Sequence, residues 1–461
     1  MLTTNKTPPM KKFLYTILLS IIAFTGYGQQ DLSLVFLKEV GQHNFANPAF
    51  QPEYQVNVGL PILSSNYIGL SNSGFSYNDV ISKENGLLYL NLDNLIGTLD
   101  DKNYFEADAS IDLLHLSFRT TDRWFLSFNL SARTYKSAMY PGDLVDFIVA
   151  GNEPFIGEQL NVSPAVESFS FAEIGFGASY ALTDRLTVGG KLKLLGGIEN
   201  ATTQHAELHL QTEADTYHLT AIANASLLTS NFQRIDEDGF NLGDLNFMNN
   251  LGFAVDLGAT FQATDRLELG ISVLDLGSIR WKENLYEYYL DPDQANYTFE
   301  GSPINDLFKD GEAPYNAIID TIQDNFEFQE RTTGAYSTSL PVKSYITGNY
   351  QISTSLSAGA ALLMQHYQDR WKSGLGLNLT KQFGRVLTTS FTYSMREDTY
   401  NNFGGGISLN LKPVQFYLVS DNLLNALYHG ITDGRLNGYI NNSRSMNLRF
   451  GINLVFGQRE R

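Results

Sequence analysis

The feature of this sequence that most constrains its fold is an alternation of apolar and polar side chains near the C-terminus, over residues 446–456. Successive side chains of a β-strand point to opposite faces, so this run would have one apolar face and one mostly polar or small face. The apolar face would carry Met446, Leu448, Phe450, Ile452, Leu454 and Phe456. About 9–11 residues let a tilted strand cross a bilayer, whereas strands of soluble sheets are commonly about half as long. The pattern is typical of a transmembrane β-barrel.

Similar alternation recurs through the rest of the chain, at residues 124–130, 186–194, 206–210, 219–223, 251–261 and 267–273 among others. Beyond the N-terminal region, no segment approaches the roughly 20 apolar residues of a transmembrane helix. Aromatic residues make up 13% of the chain, as expected where aromatic girdles flank an apolar outer band. We therefore predict an all-β fold, a transmembrane antiparallel β-barrel of about sixteen strands, with fourteen as the alternative.

Three identical Thr-Asp-Arg tripeptides, at 121–123, 183–185 and 264–266, separate alternating runs. Threonine and aspartate favour tight turns through local side-chain hydrogen bonds. If the C-terminus is periplasmic, these turns are periplasmic too, and the long connections are extracellular, as in bacterial barrels. The long connections are residues 136–167, 227–249, 291–335 and 421–445. Amphipathic patterns at 142–149 and 314–326 predict short helices in these loops.

The first 28 residues are organised like a secretion signal. Lys11 and Lys12 precede an apolar run at 13–24, and residues 26–28 (Gly-Tyr-Gly) provide a small-residue cleavage site. We accordingly divide the chain into three parts. They are a signal peptide at 1–28, an N-terminal periplasmic or lumen segment at 29–53, and an outer-membrane β-barrel at 54–461.

The segment before the barrel contains the residues that we predict to plug the lumen. Pro48 and Pro52 make it a poor strand, because proline has no N–H for the ladder. Wide barrels are often plugged by part of their own chain. We expect Asn47, Pro48, Ala49 and Phe50 to pack inside the barrel near its periplasmic end. The alternative is a disordered periplasmic tail, since chain termini are commonly mobile.

Composition and spacing argue against several other functions. The formal net charge of −18 argues against nucleic acid as a partner. His205 and His209 are four residues apart on a strand, which holds them well apart and predicts no metal site. No nucleophile–base signature is recognisable, and the chain has no cysteine for a disulfide. We therefore predict a protein that is not an enzyme and has no cofactor.

Several segments spread along the chain resemble a family of Bacteroidota outer-membrane barrels known only as a domain of unknown function. They are NPAFQP at 47–52, VGLP at 58–61, GFSYN at 74–78, SVLDLG at 272–277, IRW at 279–281, YSTSLP at 336–341, SDNLLN at 420–425 and NLRFG at 447–451. The Asn-Pro-Ala of the first is also similar to a motif in the lumen-filling segment of FadL-like barrels. Members of that broader group move hydrophobic molecules or serve the type IX secretion system.

These resemblances and the barrel pattern together imply a non-enzymatic, porin-like protein in the outer membrane of a Gram-negative bacterium. We expect a channel or transporter for a small apolar molecule. Its partners would be outer-membrane lipid and a small hydrophobic ligand. The alternative is an interaction protein that supports type IX-like secretion or envelope assembly by binding secretion or envelope proteins.

Overall fold

The computed structural model describes residues 32–84, 87–232, 249–291, 295–300, 328–396, 399–422 and 444–458. The predicted signal peptide and the predicted helix at 314–326 lie outside these residues. The described chain is mostly antiparallel β-sheet. Its strands are β1 (Tyr54–Gly59), β2 (Asn66–Asn72), β3 (Ile81–Glu84), β4 (Leu87–Leu90), β5 (Lys102–Arg119), β6 (Trp124–Pro141), β7 (Gln159–Asn161), β8 (Ala165–Ala181), β9 (Leu186–Thr212), β10 (Leu219–Ser230), β11 (Leu251–Thr264), β12 (Leu267–Trp281), β13 (Leu285–Leu290), β14 (Asn296–Phe299), β15 (Gln329–Thr332), β16 (Tyr336–Ser339), β17 (Val342–Ser353), β18 (Leu356–Tyr367), β19 (Arg370–Phe383), β20 (Leu387–Arg396), β21 (Thr399–Leu411), β22 (Val414–Ser420) and β23 (Ser445–Gln458).

Fourteen strand positions close into a barrel. β1 and β2 lie end to end and share one position, because each pairs with β23 on one side and β5 on the other. The remaining positions are β5, β6, β8, β9, β11, β12 and β17 to β23, each paired with the next. The predicted fold class is confirmed, and the strand count is the alternative of fourteen.

The count is lower than sixteen because two alternating runs lie outside the barrel wall. β9 has 27 residues, many more than a tilted strand needs to cross a bilayer. Its first part pairs with β8 and β11, and its last part, which contains residues 206–210, pairs with β10. β10, which contains residues 219–223, pairs onward with β13 and β14 rather than with β11. These strands extend the sheet beyond the barrel.

The extension has a small core of its own. Leu160, Val162, Leu210, Leu219 and Ala221 are buried together. The helix Gly142–Ala150 packs on this cluster through Leu144 and Phe147. A second helix, Leu92–Thr98, begins after Asn91, whose side chain accepts a hydrogen bond from the Asn94 backbone N–H at 3.1 Å. A third, short helix covers Tyr77–Val80. The helix Gly142–Ala150 confirms the short helix predicted in the 136–167 loop.

The three Thr-Asp-Arg tripeptides form hairpin turns of one kind, as predicted. In each, the threonine Oγ1 accepts hydrogen bonds from the backbone N–H of the arginine and of the following residue, at 2.9–3.3 Å. The turns join β5 to β6, β8 to β9 and β11 to β12 at one end of the barrel. The described strand ends from which the long connections leave lie at the opposite end, which confirms the predicted sorting of loops.

The wall has an apolar outer face and a polar inner face. On β11, Phe253 and Leu257 are 61% and 54% exposed, whereas Asp256 is 3% exposed. The same contrast holds on β19 to β23, where Leu377, Phe391, Ile407 and Phe450 point outward and Asn378, Thr392, Ser408 and Arg449 are buried. An apolar exterior around a polar interior is the arrangement of a transmembrane barrel.

Among the helices of the described residues, none is long and apolar enough to cross a membrane.

Candidate functional site

Residues 32–53, called the lumen segment from here on, run through the interior of the barrel. The segment contains two 3₁₀ turns, Leu34–Phe36 and Gly41–Phe45. Its apolar side chains bury themselves against inward-facing wall residues on two sides. One cluster joins Leu32, Val35, Phe36, Ala46 and Phe50 to Leu274, Tyr345, Ala361 and Leu363. The other joins Leu34, Leu37 and Val40 to Tyr417 and Val419.

The first turn of the lumen segment is anchored by Asp421, which follows β22. The Asp421 carboxylate accepts hydrogen bonds from the backbone N–H groups of Leu32 at 3.0 Å and Ser33 at 2.8 Å. Arg396 donates to the same carboxylate at 2.7 Å, and the Asn447 amide donates at 3.0 Å. Hydrogen bonds to an ionised acceptor are stronger than neutral ones, so this end of the segment is held firmly.

Asn47 fixes the other end of the segment through backbone atoms of the wall. Its Nδ2 atom donates to the carbonyl of Ala259 on β11 at 3.2 Å and to that of Ile271 on β12 at 3.1 Å. Its Oδ1 atom accepts from the backbone N–H of Ala49 at 2.9 Å, which shapes the turn at Pro48. These three hydrogen bonds of the Asn47 side chain are all with backbone atoms.

Wall glycines make room for this part of the lumen segment. A Cβ atom at Gly258 would lie 2.0 Å from the Asn47 Oδ1 atom. A Cβ atom at Gly189 would lie 2.4 Å from the carbonyl carbon and oxygen of Pro48 and 2.5 Å from the Ala49 nitrogen. No larger side chain fits at these positions while the segment is in place, so the wall is shaped to the segment.

All four predicted plug residues, Asn47, Pro48, Ala49 and Phe50, are buried inside the barrel. Gln51, next in the chain, accepts from Arg119 Nη1 at 2.6 Å. Arg119 ends β5 just before a Thr-Asp-Arg turn, so these residues lie near the predicted periplasmic end. Their action as a plug remains a prediction.

His43 stacks on Phe50, with ring centroids 4.9 Å apart and planes at 8°. Burial lowers the pKa of His43 to about 3, although a hydrogen bond between its Nδ1 atom and the Val40 carbonyl opposes the shift. Lys38 adds a smaller repulsion that lowers the pKa further. The imidazole is therefore neutral at ordinary pH and belongs to the apolar packing of the segment.

A cavity of about 130 Å³, called the inner cavity from here on, lies between the lumen segment and the wall. Phe45 and Ala46 of the segment line one side, and Tyr135, Phe169 and Phe171 contribute aromatic surface on another. Ten charged residues also line it, five acidic and five basic. They are Asp108, Asp112, Glu173, Asp256, Asp275, Arg133, Lys191, Lys193, Lys343 and Arg449. The cavity thus combines aromatic surface with balanced charge.

Half of these charges form one connected network around Asp275. Arg133 donates to both carboxylate oxygens of Asp275, each at 2.9 Å, and to Glu173 at 3.0 Å. Lys193 contacts Asp275 at 2.6 Å and Asp256 at 2.7 Å. Asp275 has a φ of +60° within a β-bulge of β11 and β12. The bulge turns this carboxylate into the lumen, which is how bulges re-aim side chains.

A second, smaller cavity of about 30 Å³, called the outer cavity, lies toward the outer end of the barrel and shares Tyr135 and Gln365 with the inner cavity. Its central charge is Glu106, which pairs with Lys372 and, at 3.1 Å, with Arg370. Together the two cavities follow the lumen from its outer end to the lumen segment.

Sequence reasoning missed Asp275 and Asp112, although a signal for both was present. Each aspartate has the parity of its lipid-facing neighbours, Val273 in one strand and Leu114 in the other. An acid on the lipid-facing parity is costly, so it indicates a shift of register. Register shifts do occur there, between Val255 and Leu257 opposite Asp275 and between Asp112 and Leu114.

The residues considered for a metal site do not converge. His205 and His209 lie on the outer part of β9, where the His205 Nε2 atom is 2.9 Å from the Asn224 Oδ1 atom. Within the part of the chain that the structure describes, no group of three histidine, cysteine, aspartate or glutamate side chains could hold a metal ion.

Comparison with known proteins gives a family. The model described as "Family of unknown function (DUF5723)" matches residues 48–421. The chain belongs to this family. The predicted resemblance to a family of unknown function is therefore confirmed, and the family description names no activity. No curated protein matches the sequence significantly.

Solved structures of similar fold include two toluene transporters and a FadL homologue. The Ralstonia pickettii toluene transporter TbuX is 11% identical, with a TM-score of 0.43 over 95% of this chain and 100% of that chain. A Pseudomonas aeruginosa FadL homologue is 12% identical, with a TM-score of 0.43 over 94% and 100%. The P. putida toluene transporter TodX is 9% identical, with a TM-score of 0.40 over 90% and 93%.

Proposed function

We propose that this protein is a non-enzymatic channel or transporter in the outer membrane of a Gram-negative bacterium, and that its lumen segment is a plug. The observation that carries the proposal is the fit of residues 47–49 against Gly189 and Gly258. A wall shaped to a segment of its own chain, with cavities on the outer side of that segment, suits a passage that is closed at rest.

The lining of the cavities supports a small cargo with an apolar part. Tyr135, Phe169 and Phe171 provide a continuous aromatic surface, with the ring centroids of Tyr135 and Phe169 5.3 Å apart. Aromatic faces bind apolar groups over a large area. Tyr135 lines both cavities, so the same surface extends from the outer cavity to the inner one.

Deletion of residues 32–52 tests the plug. In planar bilayers, the deletion variant should show a several-fold higher single-channel conductance than the intact protein, because the lumen loses the chain that fills it. Heat-modifiable migration on a gel would establish that the variant still forms a barrel. A folded deletion variant with unchanged conductance would overturn the proposal.

A cross-link that ties the lumen segment to the wall is the opposite change to its deletion. A Cβ atom at Gly41 would lie 3.5 Å from the Asn57 Cβ atom, within the range of disulfides, and the chain has no native cysteine. The Gly41→Cys/Asn57→Cys double variant should conduct less when oxidised than when reduced. Equal conductance in both states would contradict a plug that moves.

The interaction-protein alternative makes a different prediction. If the protein served secretion or envelope assembly, removal of the lumen segment would abolish co-purification of envelope proteins and leave conductance unchanged. No feature of the described residues favours this alternative over a channel.

A further inference from the structure

Buried polar groups that no described residue satisfies line the inner cavity, in Asp112 and Asn129, or lie in the wall beside it, in His115. The Oδ2 atom of Asp112, both ring nitrogens of His115 and the Oδ1 atom of Asn129 have no hydrogen-bond partner. These side chains are 1–3% exposed. Lys191 is 4% exposed and makes no hydrogen bond or ion pair with the described residues; its Nζ atom lies 4.9 Å from the centroid of the Phe45 ring.

These four residues, called the β5–β9 polar cluster, come from neighbouring strands. The register shift after Asp112 directs both Asp112 and His115 inward, with Oδ2 and Nδ1 4.0 Å apart. Asn129 on β6 pairs with His115 across the sheet. A Cβ atom at Gly175 of β8 would meet the Asn129 Oδ1 atom at 2.3 Å and the Lys191 Cδ atom at 3.3 Å. The cluster is therefore one site on the wall.

The unsatisfied state of the β5–β9 polar cluster contrasts with the charges beside it. Arg133, Lys193, Glu173, Asp256 and Asp275 all have ionic partners within 3.0 Å. Buried polar groups in proteins are nearly always hydrogen bonded, to protein, to water or to a ligand. A group of them that faces a cavity without partners is most simply explained by a molecule that binds there.

The chemistry of the cluster defines that molecule. The Lys191 ammonium group donates hydrogen bonds, which are strongest to an anionic acceptor such as a carboxylate. The Asp112 carboxylate and the Asn129 carbonyl require donors, and a primary ammonium group supplies three. The Phe45 ring beside Lys191 and the aromatic wall at Phe169 and Phe171 offer contact to an apolar body.

We propose that the β5–β9 polar cluster binds the head group of a small zwitterion with an apolar body, such as an aromatic amino acid. The carboxylate contacts Lys191, the ammonium group contacts Asp112 and Asn129, and the body lies against the aromatic side of the cavity. This inference rests on the proposed channel function and defines its cargo as amphipathic rather than wholly apolar.

Four probes with one phenyl body test the head group. L-Phenylalanine carries both charges, 3-phenylpropionate carries only the carboxylate, phenethylamine carries only the ammonium group, and toluene carries neither. Binding to the intact protein in detergent at pH 7.5 would be measured by calorimetry. L-Phenylalanine should bind at least tenfold more tightly than each of the other three. Equal or tighter binding of toluene, or no binding of any probe, would overturn the proposal.

Two variants separate the charges. Lys191→Met should weaken L-phenylalanine and 3-phenylpropionate about tenfold and leave phenethylamine unchanged. Asp112→Asn should weaken L-phenylalanine and phenethylamine and leave 3-phenylpropionate unchanged. Arg331→Met, at the pair with Glu287 on the sheet extension outside the barrel wall, is the control that should change none of them.

The ranking of the probes on the unaltered protein remains decisive if either variant fails to fold. Conductance after deletion of residues 32–52 requires no ligand, so it can support the channel while the zwitterion site fails. If only water fills the cluster, no probe will bind, and deletion of residues 32–52 will still raise the conductance. That result would contradict the zwitterion site and leave the proposed channel standing.

Discussion

Replacement of Gly189 by alanine should unseat the lumen segment without changing any residue of that segment. The added methyl group would lie 2.4–2.5 Å from three backbone atoms of Pro48 and Ala49. Backbone atoms in a turn cannot rotate away as the end of a flexible side chain can. Overpacking of this kind costs about 1–3 kcal/mol, which is about a 5- to 150-fold change in an equilibrium. The population with an unseated segment should rise by that factor.

The neighbouring residue provides a control for Gly189→Ala. A Cβ atom at Gly190 would meet only the Asp256 carbonyl oxygen at 3.5 Å and the Leu257 Cδ2 atom at 3.8 Å, which are ordinary contacts. Single-channel recording should show more frequent or longer openings for Gly189→Ala and wild-type behaviour for Gly190→Ala. Protease treatment of the folded barrel should cut residues 32–52 faster in the first variant. Identical recordings for the two variants would refute the idea that the wall glycine seats a plug.

Three further predictions concern the lipid face, pH and topology. Leu257→Arg places a charge on the outer face and should lower the free energy of unfolding by about 2–4 kcal/mol near the midplane. Asp256→Asn removes one of the two carboxylates that contact Lys193, which keeps Asp275 at 2.6 Å, and should cost about 1–3 kcal/mol. Both changes would be measured by denaturant titration in detergent. His43 has a pKa of about 3 when buried against 6.5 when exposed, so the stability of the seated segment is complete above pH 6.5 and is lost as the pH falls toward 3. Conductance should therefore rise on acidification, with about 2 kcal/mol lost by pH 5, and His43→Gln should abolish that dependence. A protease site inserted within 213–218 should be cut on intact cells, and one within 183–185 should not. The reverse result would show that the predicted orientation of the barrel in the membrane is wrong.

The orientation of most wall residues could be predicted from the sequence because a single physical rule governs them. Leu257 and Asp256 are adjacent and face opposite sides, as period-two alternation requires. The Thr-Asp-Arg turns were equally predictable, since their hydrogen bonds are local to three or four residues. The end of the barrel wall was not predictable, because β9 keeps its alternation after it leaves the wall. A strand half covered by a helix and a strand half covered by lipid have similar patterns.

The candidate site was predictable at one point and hidden at others. Asn47 is recognisable in the sequence because it precedes Pro48. Its partners on the wall are the backbone carbonyls of Ala259 and Ile271, which no sequence signal distinguishes from other carbonyls. The inward positions of Gly189 and Gly258 are the nearest signal in the sequence, and they indicate only that something approaches closely. The β5–β9 polar cluster could not be predicted, because its position depends on a register shift at Asp112. Simple alternation along β5 assigns Asp112 to the inner face only after that shift is known.

The contacts of the lumen segment are unequal on its two sides, and this bears on how a closed lumen could open. Toward β22 and β23 the segment is well bonded: Asp421 holds its first turn, and the Gln42 and Asn453 amides exchange hydrogen bonds at 2.8 and 2.9 Å. Toward β1 and β5 it faces Asn57 and His115, whose side-chain polar atoms have no partners in the described chain. An unsatisfied buried polar group costs about 1–3 kcal/mol, so separation on the second side sacrifices fewer hydrogen bonds and gives these groups access to water. The inner cavity borders β5 to β9 on that side as well. If the lumen segment is a plug, as we propose, we expect it to open by moving away from β5 while it stays attached to β22 and β23, and a cross-link between positions 41 and 57 would restrain the side that moves.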